Sequence, residues 1–265
     1  MSATKVAIHG AAGRMGQRLV ALGDADPEIE IVAAMENPAH ARFGHDAGMV
    51  AGASDIGIEL ADILPDDVEV VIDFSLPAPS LSLLARCVDK NIPMVIATTG
   101  FSEDEKQSIR DAAESIPILW SPSMSLAVNL VMRLTEIAAG ALADLPGGAD
   151  VEIVERHHRF KEDAPSGTAL RFGEIVAAAM QIDQHRHGRS GHTGQRPHNE
   201  IGYHALRVGD NPGEHTIVFG MLGETIELNV KASNRDCYAT GALAAAKFLA
   251  GKPAGLYGMN DVLKL

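Results

Sequence analysis

The residues best equipped for chemistry stand together in one segment, residues 152–169 (EIVERHHRFKEDAPSGTA). His157, His158 and Lys161 lie just past a run that alternates like a strand, and Pro165, Ser166, Gly167 and Thr168 follow directly before a helical stretch. Imidazole and ammonium groups so placed can supply protons to a bound substrate. A helix start made of Ser, Gly and Thr offers N–H groups and a positive dipole end to a carboxylate or phosphate. Cations beside it would stabilise an anionic substrate and the charge built up on hydride addition. Taken alone, the histidine pair reads as a basic surface loop before a capped helix; the whole constellation does not.

A second motif lies near the N-terminus. Gly10, Gly13 and Gly16 space the turn GAAGRMG as G-x-x-G-x-x-G, against the more usual G-x-G-x-x-G. Gly10 permits the tight turn, Gly13 lets the backbone approach a pyrophosphate, and Gly16 lets helix pack closely on strand. The helix N-terminus then holds the phosphates. Such a turn can also be a plain strand–helix connection, but it directly follows an N-terminal strand, and Glu36 lies about 20 residues on, where a carboxylate accepts ribose hydroxyls. Asn37 stands where a basic residue would grip a 2′-phosphate. That leans toward NADH or dual use, although Arg14 could compensate, and the preference stays open. The turns Ala97-Thr98-Thr99-Gly100 and Pro122-Ser123-Met124-Ser125 fall at strand C-termini, the edge where doubly wound sheets bind ligands. Asp73-Phe74-Ser75 ends a strand in the same way.

These motifs need elements to position them. In the first half of the chain, strand-like runs at residues 5–9, 29–35, 68–74, 93–97 and 116–120 alternate with helical patterns at 14–22, 78–90 and from 102 onward. Ser102 followed by three acids is a capped helix start. Strands separated by helices predict an α/β fold with a Rossmann-type, doubly wound parallel sheet. The pattern changes near Leu126. A helix over 128–145, alternating strands at 150–155, 201–208, 215–219 and 225–232, and a helix over 168–180 predict a second domain of α+β type. Between them runs a polar, His- and Gly-rich stretch, 184–199. A last Ala-rich helix, 238–249, could return to the first domain. The expected division is 1–127 with 236–265 for the dinucleotide and 128–235 for the substrate.

Composition excludes several classes. A formal charge of -13 argues against nonspecific binding to nucleic acid or an anionic membrane. The opening residues run straight into a strand, unlike a secretory signal, and no run approaches the ~20 apolar residues of a membrane helix. Cys87 and Cys237 match no metal or redox spacing, so buried free thiols and a cytoplasmic location are expected. His185, His187, His192 and His198 fit no regular zinc pattern. No metal is expected.

The segment at 152–169 resembles the signature of the dihydrodipicolinate reductases, E-[IV]-x-E-x-H-x-x-x-K-x-D-x-P-S-G-T-A. It matches at Glu152, Ile153, Glu155, His157, Lys161, Asp163, Pro165, Ser166, Gly167, Thr168 and Ala169. GAAGRMG, the TTG turn, GHTGQR, GEHT and the closing GLYGMNDVLKL also resemble family features. The resemblance implies reduction of 4-hydroxy-tetrahydrodipicolinate with NADH or NADPH, in lysine and diaminopimelate biosynthesis, by a homotetramer. It implies that His157 is the proton donor/acceptor and Lys161 a second proton donor. His158, Gly167 and Thr168 would bind the dicarboxylate. Gly10, Ala11, Ala12, Gly13, Arg14, Met15, Glu36, Asn37, Ala97, Thr98, Thr99, Pro122, Ser123, Met124 and Ser125 would contact the cofactor. Two positions depart from the family pattern: Ser123 stands where Asn is common, and Val230 where a histidine often precedes the lysine. Rival readings are another Rossmann-type amino- or keto-acid dehydrogenase, which the first domain alone would fit, and a nonenzymatic nucleotide sensor, which would be expected to lose His157 or Lys161.

Overall fold

Alternation of short apolar runs with amphipathic helices gives the chain its element order. In the computed structural model, which describes residues 3–146 and 148–265, the first part runs β1 Thr4–His9, α1 Arg14–Asp24, β2 Ile29–Met35, α2 Ala47–Val50, β3 Leu60–Ala61, β4 Val70–Asp73, α3 Pro77–Lys90, β5 Met94–Ile96, α4 Glu103–Ala112 and β6 Pro117–Trp120. The rest runs α5 Leu126–Leu142, β7 Asp150–His157, α6 Gly167–Met180, β8 Gln184–His187, β9 Glu200–Arg207, β10 Glu214–Met221, β11 Glu224–Lys231, α7 Asp236–Leu249, β12 Gly255–Tyr257 and α8 Met259–Leu263. Contacts divide the chain into Met1–Leu126 with Arg235–Leu265, and Ala127–Asn234.

The first unit holds a seven-stranded sheet in the order β12-β6-β5-β4-β1-β2-β3, every pair parallel. Val6, Ile8, Val70, Val71, Ile72, Val95 and Ile96 are wholly buried, as expected of strands covered on both faces. On one face Val6, Ile8 and Ile72 meet Leu19 and Val20 of α1 and the alanines of α7. On the other, Ala7, Val71 and Met94 meet Leu83, Leu84 and Cys87 of α3 and Ile109 of α4. Each fully buried large aliphatic side chain stabilises the unit by about 1.5–3 kcal/mol. The order reverses at β1, which has β2 on one side and β4 on the other. Such a switch point opens a crevice beyond the strand C-termini.

Helix α7 packs in this unit. Ala239, Ala242, Ala245 and Ala246 are fully buried in its core. A Cβ on Gly241 would lie 1.7 Å from the Met124 carbonyl oxygen, so glycine there lets the helix backbone lie against the turn at 122–125. The predicted cap on α4 is a full capping box: Glu105 N–H donates to Ser102 Oγ and Ser102 N–H to Glu105 Oε2.

The second unit is a mixed sheet in the order β11-β10-β7-β9-β8. β10 is antiparallel to β7 and β11, while β9 is parallel to β7 and β8. Val151, Ile153, Ile217, Phe219, Ile201 and Tyr203 pack with Val128 and Ala139 of α5 and Phe172 and Val176 of α6. The predicted alternation on β7 and β10 is observed. β8 falls inside the polar, His- and Gly-rich stretch, where no strand is predicted: all of its residues, QHRH, are exposed, so backbone pairing with β9 makes the strand and no apolar pattern announces it. The two-residue β3 and three-residue β12 likewise extend the parallel sheet beyond the five predicted strands, and both are too short to show a period.

Candidate active site

Parallel β7 and β9 deliver their C-terminal ends to one edge of the second sheet, with His157 opposite Arg207. Antiparallel β10 starts at that edge, placing His215 opposite Glu155. Residues 151, 153, 155 and 157 share one face by the two-residue period of a strand. The buried row on β7 therefore changes from Val151 and Ile153 to Glu155 and His157 as it reaches the edge.

A carboxylate only 1% exposed, as Glu155 is, is costly unless paired and hydrogen-bonded. Arg207 grips it with two bonds, Nη1 to Oε2 at 2.8 Å and Nη2 to Oε1 at 2.9 Å. Ser166 N–H donates to Oε1 at 3.1 Å, and His157 Nδ1 lies 2.6 Å from Oε2. Burial pushes the Glu155 carboxyl up, but the bonds from Arg207 and His157 outweigh it and hold the group below the ordinary range. An ionised carboxylate only accepts, so the imidazole proton sits on Nδ1 and Nε2 is left for chemistry. Burial holds His157 below the ordinary histidine value against the pull of Glu155, and the charges of Lys161 and Arg207 add to the lowering. A Cβ on Gly213, whose φ is +149, would come within 2.9 Å of His157 Nε2. Glycine there keeps that nitrogen uncovered.

Further members surround the pair. His215 is buried; its Nε2 lies 2.9 Å from Ser166 Oγ, and its ring meets that of His157 edge-on at 5.2 Å. Burial, then the charge of His157, pushes it down to about 4, so it is neutral at neutral pH. Ser166 Oγ caps α6 by accepting from Ala169 N–H. The first-turn N–H groups of Gly167 and Thr168 have no acceptor among the described residues, and a Cβ on Gly167 would meet nothing within 4 Å. Lys161 Nζ donates to Asp163 Oδ1 at 2.8 Å, while the Asp163 carbonyl accepts from Arg207 Nη2. His158 Nδ1 is buried without a hydrogen-bond partner, an unmet demand that a ligand could satisfy.

In the first unit a cleft of about 520 Å³ opens beside the glycine turn, lined among others by His9, Gly10, Gly13, Glu36, Asn37 and Leu76. Gly10 has φ +75, and a Cβ on Gly16 would lie 2.0 Å from the Gly10 carbonyl oxygen. Both glycines are thus required by close backbone approach. Helix α1 has Gly13 as its N-cap, with no side-chain cap and no acid in its first turn, leaving donors for an anion. Glu36 accepts from Ala12 N–H and Asn37 N–H, each at 2.9 Å, which ties the β2 end to the turn. Ala11 and Ala12 are buried beneath it, Met15 is half-buried against the core, and Arg14 is exposed.

The other two predicted turns lie at the C-termini of β5 and β6 and do not line this cleft. Thr98 is buried, donating from Oγ1 to Asp73 Oδ2 at 2.8 Å and accepting from Ser75 N–H. Ala97 is half-buried and Thr99 exposed. In the β6 turn, Ser121 Oγ donates to the Ser123 carbonyl at 2.8 Å. Met124 and Ser125 are buried there and Pro122 is exposed.

The polar stretch at 184–199 is held by ions. Arg189 and Arg196 both reach Glu152, at 2.7 and 2.9 Å, and Arg189 also binds Glu200. His185 bonds and stacks on Tyr203, and His187 stacks on the same ring. Among the described residues no group of three or more His, Cys, Asp or Glu could hold a metal ion, and no helix is long and apolar enough to cross a membrane.

Arg207, His215 and Gly213 do not stand out in the sequence as site residues, because only strand pairing brings them to His157. Glu155 is visible in the signature, but its role appears only with its three partners. His9 is hidden at the end of its apolar strand, whereas Asp73 belongs to a strand-end turn that the sequence already places at the ligand edge.

Known proteins resemble the chain throughout. The family described as dihydrodipicolinate reductase, N-terminus, matches residues 4–124, and its C-terminus counterpart matches residues 127–263. A 4-hydroxy-tetrahydrodipicolinate reductase of Rhodopirellula baltica is 59% identical over 97% of this chain and 94% of its own length. One from Nitrosomonas eutropha is 45% identical over 100% of both. Among solved structures, the dipicolinate-bound dihydrodipicolinate reductase of Paenisporosarcina sp. TG-14 shares the fold with a TM-score of 0.78 at 24% identity, over 98% of this chain and 99% of that one.

Proposed function

The chain belongs to the dihydrodipicolinate reductase family, and from that premise we propose that it reduces 4-hydroxy-tetrahydrodipicolinate to tetrahydrodipicolinate with NADH or NADPH. The observation that carries the reading is the buried Glu155 carboxylate, which orients His157 beside an α6 start with open N–H donors. That pairing offers an anion site and a tautomer-fixed imidazole in one place.

The cleft at the uncapped start of α1 fits a dinucleotide, with the donors of residues 13–15 toward its phosphates and Glu36 toward a ribose. The two turns at 97–99 and 122–125 lie on the same sheet edge. When bound, the reduced nicotinamide supplies a hydride. NADH is favoured over NADPH, because Glu36 and Asp62 line the cleft while Arg86 is held by Asp62 at 2.8 Å. A 2′-phosphate would meet acids there, with the arginine that lines the cleft, Arg86, already paired.

In the second unit the free N–H groups of Gly167 and Thr168 and the unpartnered His158 hold the substrate carboxylates. Neutral His157 takes a carbon-bound proton at Nε2 as the 4-hydroxyl leaves, and Lys161 gives the proton that makes the leaving group water. After reduction at C4, His157 returns its proton to the resulting enamine anion, and solvent recharges Lys161. Glu155 stabilises the imidazolium that exists between those steps. Overall one proton is taken up and one water released. A homotetramer is proposed from the family resemblance, and a cytoplasmic location from the two isolated cysteines.

Oxidation of NADH and NADPH is followed separately with freshly made hydroxy-tetrahydrodipicolinate. Rapid substrate-dependent loss of reduced cofactor, faster with NADH, is expected. Tight dinucleotide binding without turnover would point instead to a sensor or another substrate.

A further inference from the structure

We propose that His9 is a further dinucleotide-binding residue, a phosphate ligand turned toward the glycine-turn cleft and oriented by Asp73. This rests on the dinucleotide reading above. His9 ends β1, one residue before Gly10, and lines the cleft that Gly10, Gly13 and Glu36 also line. Its Nδ1 lies 2.7 Å from Asp73 Oδ1. Asp73 is wholly buried and also accepts from Ser75 Oγ at 2.6 Å and Thr98 Oγ1 at 2.8 Å. Those hydroxyls are neutral. His9 is therefore the only side chain bonded to this carboxylate, among the described residues, that can carry a positive charge.

The pair fixes the ring. An acceptor-only carboxylate keeps a proton on Nδ1, and Nε2 has no protein partner among the described residues. The charges around the cleft show what Nε2 can do. Asp73 on β4 faces the ring directly, and Glu36 follows β2. Asp62 is paired with Arg86 of α3, and His40 lies on the wall. A pyrophosphate entering beside Gly10 and Gly13 meets two carboxylates and no unpaired guanidinium from this wall. The α1 start supplies dipoles and, in the exposed Arg14 that opens the helix, one full charge. Protonated at Nε2, His9 would add a charge-assisted bond to the phosphate while Asp73 stabilises the imidazolium from behind, as a carboxylate does for a histidine placed between it and an anion. Binding of the dinucleotide would then take up a proton, and affinity would fall as pH rises.

The dissociation constant of NADH, measured by nicotinamide fluorescence from pH 6 to 8.5, tests this on the intact protein. Wild type should weaken about tenfold across that range, and His9→Gln should bind about tenfold more weakly at pH 6 yet nearly equal wild type at pH 8.5. His9→Ala should show the same flattened profile, and in both variants the loss should appear in KM for NADH and not in kcat. ADP-ribose should follow NADH, and adenosine should be indifferent to either substitution. A wild-type affinity that is flat with pH, or variants with the wild-type slope, would overturn the assignment while leaving the dinucleotide reading intact. Failure of wild type to bind NADH at any pH would remove both.

Discussion

His157 works through atoms it does not own. Glu155 fixes its tautomer, Gly213 keeps its Nε2 open, and Arg207 keeps Glu155 ionised. Glu155→Gln should lower kcat by roughly 10- to 100-fold, part of the roughly 10²- to 10⁴-fold that positioned proton transfer contributes. It should also move the acidic limb of the kcat/KM profile to lower pH, because the carboxylate raises the affinity of His157 for a proton. An unmoved limb would show that Glu155 is structural only. Gly213→Ala places a methyl group where Nε2 must act and should depress kcat by about tenfold or more while NADH binding is kept. Lys161→Ala should cut turnover strongly with the dinucleotide dissociation constant nearly unchanged; an equal loss of both would count against its role as a proton source.

At the scale of elements, what the sequence predicted and what it did not divide along physical lines. Strands β1, β2, β4, β5 and β6 are legible as short, largely apolar runs between helical patterns, and α4 because Ser102 and Glu105 form its cap. β8 is illegible because an exposed polar strand carries no apolar period. The proposed proton-transfer residues His157 and Lys161 stand out because they are close in sequence. Arg207, His215 and Gly213 do not, since register between β7, β9 and β10 creates their contact with His157. The helix α7 contact has its own consequence. Gly241→Ala drives a Cβ against the Met124 carbonyl and should destabilise the first unit by about 1–3 kcal/mol, measured as a lowered denaturation midpoint. An unchanged midpoint would mean that α7 can shift away from the turn without loss.

For the whole molecule, buried titratable groups set how stability depends on pH. His215 is held neutral, down to about 4, so the unfolded chain binds its proton first as pH falls through about 6.5, and stability declines from there to about pH 4. Glu152, whose burial is outweighed by Arg189, Arg196 and His204, is held at about 2, and Glu155 is also lowered. Their contributions are complete above the ordinary carboxylate range and are lost as pH falls toward 2. Urea midpoints should therefore drop in two stretches, and His215→Asn should flatten the upper one; a midpoint indifferent to pH between 7 and 4 would refute that assignment. Against an overall charge of -13, the proposed anion sites at the starts of α1 and α6 rest on local backbone donors and nearby basic side chains. The most direct test of the whole account is to turn over fresh hydroxy-tetrahydrodipicolinate with NADH carrying deuterium at the transferable position. One deuterium bound at ring C4 of the product is predicted. Cofactor oxidation with no label on C4 would contradict it.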